Sequence, residues 1–133
     1  MDSAVRTRVR QRAGERCEYC HLRQQHVPFW PLQIEHIIPK KHNGTDAEEN
    51  LALACVRCNL GKSSNLSGID SETGDIVSLF NPREQDWNEH FGFRGAEIVG
   101  LTPIGRATVH VLNMNEPHRL RLRVELLAAG EMD

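Results

Sequence analysis

Two C-x-x-C pairs, Cys17-Glu18-Tyr19-Cys20 and Cys55-Val56-Arg57-Cys58, constrain this chain more than any other feature. A pair of such knuckles can set four thiolates at the corners of a tetrahedron around one zinc ion, with Zn–S near ~2.3 Å. The short spacing lets each turn aim both of its sulfurs. A disulfide framework would require an oxidising compartment, and the charged N-terminus MDSAVRTRVRQR has no apolar signal segment. A thioredoxin-like redox pair would account for one C-x-x-C but not for two. Zinc held by Cys17, Cys20, Cys55 and Cys58 is therefore the expectation. With all four positions filled by cysteine, no site is left open for water or substrate, so this zinc is expected to be structural. The chain between Cys20 and Cys55 is longer than in a compact zinc finger and must itself fold.

A chain of 133 residues supports one domain with a modest core. No apolar run approaches the ~20 residues that would span a bilayer, so a cytoplasmic protein without membrane contact is expected. The net charge of −2 alone does not suggest a polyanion partner. Its distribution is more informative: residues 1–62 hold ten Lys/Arg against seven Asp/Glu, and residues 63–133 hold six against eleven. The basic half is the one with the cysteines. A nucleic-acid-binding surface and a chance asymmetry both remain open on charge alone.

Local signals outline the elements. Ser3 is positioned to cap a first helix that carries Val5, Val9 and Ala13 and stops at Gly14; Arg6, Arg8, Arg10 and Arg12 fall on its other faces, as solvated charges or as phosphate contacts. The stretch HVPFWPL reads as a loop packed on the core. Gln33 to Ile38 reads as a strand ended by Pro39, followed by an exposed loop with an Asn43-Gly44 turn. Asp46 can cap a short helix or turn leading to Asn50. Leu51 to Cys55 returns the chain to the second knuckle, and a helix is expected to open near Asn59. Beyond residue 65, strands are expected at Asp75–Phe80 and Glu97–Leu101. Two helices are expected, one from Thr102-Pro103 to about Leu112 and one from Pro117 to about Leu127.

Glu35-His36-Ile37, then Glu49-Asn50-Leu51, then C-x-x-C followed by Asn59, all inside two knuckles, resemble the HNH endonucleases, a branch of the ββα-metal (His-Me finger) nucleases. The resemblance covers about Glu15 to Lys62. Its third position, often histidine, is Asn59 here, making an H-N-N variant, and the acid before the first histidine, often Asp, is Glu35. The resemblance implies an α+β fold: a ββα-metal core with its four-cysteine zinc site over residues 1–65, and a strand and helix elaboration of the same domain over residues 66–133.

It further implies a metal-dependent endonuclease acting on DNA, double-stranded by expectation, as a monomer or homodimer. In that reading His36 is the general base, and Glu35 and Asn59 hold one Mg²⁺ or Mn²⁺ through oxygen. Asn50 ties the loop after the first strand and so orients His36. Lys40, Lys41, His42 and Lys62 are candidate phosphate contacts, and the products are a 5′ phosphate and a 3′ hydroxyl. Each residue also has a plainer reading. Glu35 can be a strand-edge carboxylate, Asn50 a turn residue, Asn59 a helix cap, and the lysines solvated charges. Glu35 and His36 are neighbours on a strand and so point to opposite faces unless its end bends. The competing function is a zinc-stabilised module that binds nucleic acid without cutting it.

Overall fold

The computed structural model describes residues 1–132. Helix α1 (Ser3–Ala13) starts where Asp2 Oδ1 accepts from the Val5 N–H at 2.9 Å. The cap is thus Asp2, one residue before the expected Ser3. Gly14, in the left-handed region at φ 67, ends the helix at the expected place. Strand β1 (Gln33–His36) pairs antiparallel with β2 (Leu51–Ala54), with Gln33 opposite Ala54 and His36 opposite Leu51. Helix α2 (Val56–Lys62) follows at once. Its first turn is capped by the Cys55 sulfur, which accepts from the Cys58 N–H at 3.4 Å, so the helix opens three residues before Asn59. β1, β2 and α2 form a ββα unit in a mixed α and β domain.

β2 is buried along its whole length because α1 and α2 both pack on it, which is why Leu51-Ala52-Leu53-Ala54 carries no polar side chain. Leu51 and Leu53 are fully buried, each contributing about 1.5–3 kcal/mol. Three arginines of α1 also make contacts within the fold. Arg8 pairs with Glu48, Arg10 donates to the Leu32 carbonyl, and Arg12 donates to the carbonyls of Glu48 and Leu51. They hold the hairpin and its flanking turns onto α1. The 26–32 loop departs from expectation too: Leu32 is buried, but Phe29 and Trp30 are 87% and 66% exposed.

The later part adds β3 (Ser67–Ile69) with β4 (Ile76–Ser78), then α3 (Trp87–His90), β5 (Phe91–Arg94) with β6 (Glu97–Gly100), α4 (Pro103–Val111) and α5 (Pro117–Ala128). The pairing of β3 with β4 has no clear sequence signal because Ser67-Gly68-Ile69 is short and weakly apolar. α4 starts as expected: the Thr102 hydroxyl caps the Gly105 N–H at 3.0 Å and Pro103 takes the first turn. It packs against both hairpins. The approach is so close that a Cβ at Gly105 would lie 2.0 Å from the His90 carbonyl oxygen. Tyr19 in the first knuckle reaches this layer edge-on to Phe80, and Trp87 Nε1 donates to the Tyr19 carbonyl at 2.7 Å. One buried cluster therefore runs from Val9 through the cysteines to Phe91, Leu112 and Leu126. No helix among the described residues is long and apolar enough to cross a membrane.

Candidate active site and cysteine cluster

The ligand atoms of Cys17, Cys20, Cys55 and Cys58 lie within 4.8 Å of one another, and all four residues are buried. Cys20 and Cys55 sulfurs stand 3.7 Å apart. The edge of a sulfur tetrahedron with Zn–S near ~2.3 Å is about 3.8 Å, so the cluster has the dimensions of a four-coordinate site. Each knuckle turns a backbone N–H onto its first sulfur, Cys20 to Cys17 and Cys58 to Cys55, both at 3.4 Å. The four cysteines are placed to hold a metal ion. Arg119, on α5 and 6% exposed, donates through Nη1 to Cys58 Sγ at 3.0 Å. Burial opposes its charge, but the sulfurs of Cys58, Cys20 and Cys55 outweigh burial and raise its pKa above the ordinary value.

His36 closes β1 on the face opposite Glu35, half-buried among polar groups. Its Nε2 lies 2.7 Å from Asp46 Oδ1, and Lys40 Nζ is 3.1 Å from the same oxygen. The hydrogen bond to His36, then that to Lys40, holds the Asp46 carboxyl below its usual range. In a neutral ring, Nε2–H donating to Asp46 leaves the lone pair on Nδ1. The loop that carries Asp46 is clamped by Asn50. Its amide accepts from the Ile38 N–H at 2.8 Å and donates to the carbonyls of Ile38 at 3.0 Å and Thr45 at 2.8 Å. Three bonds from one side chain close the loop between β1 and β2. Gly44 fits beneath them, since a Cβ there would meet the Ile38 carbonyl oxygen at 1.6 Å.

Glu35 is elsewhere. It points inward, 5% exposed, where its Oε2 pairs with Lys62 Nζ at 3.1 Å and its Oε1 accepts from the Tyr19 hydroxyl. Burial raises the Glu35 carboxyl, and Lys62 and Tyr19 act against that rise. Burial, followed by the Glu35 charge, pushes the Tyr19 hydroxyl well above its ordinary range. Glu35 and Asn59, expected to share a cation, have different partners in the fold. The strand alternation puts Glu35 in the core, where an ammonium already satisfies it. Asn59 donates to Gln33 Oε1 at 2.6 Å instead of meeting Glu35. Lys62 is likewise no phosphate contact: it is 2% exposed, and its ammonium also donates to the carbonyls of His36 at 3.0 Å and Ile37 at 2.9 Å. Lys40, Lys41 and His42 are exposed on a short 3-10 turn beside His36.

Asp46, Tyr19 and Arg119 carry no signal in the sequence by which their partners could be named. Asp46 reads as a cap, whereas the next 3-10 turn starts after Ala47 and has no side-chain cap. Only an acid in a loop closed by an asparagine, ten residues from a histidine, hints at the pair.

Residues 17–65 match the model of the HNH endonuclease family. The chain is 24% identical over 149 aligned residues to a protein described as "Septu protein PtuB" from Bacillus mycoides (strain KBAB4). That alignment covers 93% of this chain and 50% of the relative, so the chain spans about half the length of the curated relative it matches. No solved structure matches. The ββα unit with its four cysteines lies within residues 17–65, the segment that is similar to the HNH endonuclease family.

Proposed function

We propose that this protein is a metal-dependent endonuclease that hydrolyses phosphodiester bonds in DNA at His36. The observation that carries the reading is the His36–Asp46 pair, 2.7 Å apart, on a loop clamped by Asn50 within the HNH-family segment. His36 takes the proton of the attacking water. Asp46 orients the ring and stabilises the imidazolium that forms. Lys40, Lys41 and His42 bind the phosphates on either side of the scissile bond. A Mg²⁺ or Mn²⁺ ion would offset charge on the phosphate and the leaving 3′ oxygen. Such ions keep several waters and need only one or two carboxylates, so the exposed carboxylate of Asp46 is the fitting donor beside His36. Zinc at Cys17, Cys20, Cys55 and Cys58 is structural in this reading.

Plasmid nicking with and without Mg²⁺ or Mn²⁺ tests the proposal. Wild type should nick only with the divalent ion, and His36→Ala should not. Equal nicking by both would remove His36 from the mechanism. A second reading, nucleic-acid binding without turnover, draws on the Glu35–Lys62 pair, which withholds a carboxylate from the site. It predicts salt-sensitive duplex binding with no nicking under any metal.

A further inference from the structure

The C-terminal helix α5 buries two arginines, Arg119 at 6% and Arg123 at 3% exposure, one turn apart. Among the described residues, neither hydrogen-bonds a carboxylate. Arg119 donates to the sulfurs of Cys58 at 3.0 Å and Cys55 at 3.7 Å and to the carbonyls of Leu112 and Asn113. Arg123 donates to the carbonyls of Ala96 at 2.7 Å and Met114 at 2.9 Å and to Asn115 Oδ1 at 2.8 Å. These neutral oxygens accept from most of the N–H groups, with Arg119 Nε left without a partner among the described residues, and none of them cancels the charge. A buried cation without a counter-charge costs several kcal/mol. The missing negative charge sits at the cysteine cluster. Four thiolates around one divalent cation leave two uncompensated negative charges, and Arg119 and Arg123 bring two positive ones.

We propose that Arg119 supplies counter-charge to the tetrathiolate metal centre by direct contact with Cys55 and Cys58, with Arg123 buried one turn further along the same helix. Metal retention and the docking of α5 are then one linked equilibrium. Ion binding secures the helix, and the helix in turn slows loss of the ion. This gives the part of the chain beyond residue 65 a role in the metal centre, supplied by residues that lie outside the family-matched segment. The proposal rests on the cysteine geometry and does not depend on the nuclease reading.

The test uses the full chain reconstituted with Zn²⁺ and follows zinc release to a coloured chelator. A second readout is the thiolate-to-cobalt absorption of the Co²⁺-substituted protein. Arg119→Met should release zinc at least about tenfold faster than wild type and shift the cobalt band. Arg119→Lys keeps the charge but loses the fork to Leu112 and Asn113, and should stay within about threefold of wild type. Leu126→Ala loosens the same helix without touching the sulfurs and should leave the cobalt band unshifted. Zinc release from Arg119→Met at the wild-type rate would overturn the proposal. So would a cobalt band shifted as far in Leu126→Ala as in Arg119→Met, since loosening of the helix alone would then account for the shift. If Arg119→Met does not fold, Arg119→Lys decides: release about tenfold faster than wild type counts against a charge role, and near-wild-type release supports it.

Discussion

Lys62→Met is the substitution with the most to say about how this site is built. The ammonium of Lys62 is 2% exposed and has three partners: Glu35 Oε2 at 3.1 Å and the carbonyls of His36 and Ile37 at 3.0 and 2.9 Å. Methionine fills the space but leaves a buried carboxylate unpaired. Breaking one side of a buried ion pair costs about 3–5 kcal/mol. For a chain of this length that is a fall in Tm of about 10–20 °C. The loss has a pH signature. Burial already lifts the Glu35 carboxyl above its ordinary value of 4.5, and Lys62 is the largest influence in the other direction. Without Lys62 the folded-state value rises further. An acid whose folded value exceeds its unfolded one binds its proton more tightly in the native state, so stability falls as pH rises from the unfolded value through the folded one. The deficit of Lys62→Met is therefore largest at alkaline pH and narrows toward acid. Urea unfolding of the metal-loaded protein at about pH 8 and about pH 6 measures it. The double variant Glu35→Gln/Lys62→Met carries no charge at this pair and should recover about 2 kcal/mol or more of the loss. A single-variant cost under about 1 kcal/mol, or no recovery in the double variant, would refute the reading of Lys62 as a core ion-pair partner.

On the proposed mechanism, His36→Ala removes the general base and should cut Mg²⁺-dependent nicking by about 10²–10⁴-fold with unchanged far-UV circular dichroism. Asp46→Asn keeps the ring but weakens its orientation and should cost about 10–100-fold, read as kcat at saturating DNA. Asn50→Ala removes three loop hydrogen bonds and should destabilise by about 1–3 kcal/mol in urea titration while lowering nicking through misplaced Asp46 and His36. Gly44→Ala puts a Cβ 1.6 Å from the Ile38 carbonyl oxygen and should lower Tm by at least as much as Asn50→Ala. Chiefly burial, with help from Arg16 and Arg23, holds the His21 imidazole down at about 3. The native state thus refuses a proton that the unfolded chain takes near 6.5, and stability is lost as pH falls below that value, by up to about 1.4 kcal/mol per pH unit. His21→Phe should flatten this slope in urea titrations between about pH 6.5 and 5.5.

The sequence by itself settled whatever depends on spacing along the chain. Two C-x-x-C turns are built to converge as a four-sulfur cluster, and Cys17, Cys20, Cys55 and Cys58 do so. Gly14 ends the first helix and Thr102-Pro103 begins the fourth, because caps act over three or four residues. Strand periodicity already opposed Glu35 to His36. What it could not settle were partners brought together across the fold. Asp46 meets His36 only after Asn50 closes the intervening loop. Glu35 turns from metal ligand to core ion-pair member because α2 delivers Lys62 beneath β1. Arg119 reaches Cys58 across 61 residues. Charge pairing is decided by distance and burial, and those are properties of the packed chain. Residue spacing encodes the direction of a side chain from its own backbone; only tertiary packing decides what stands opposite it.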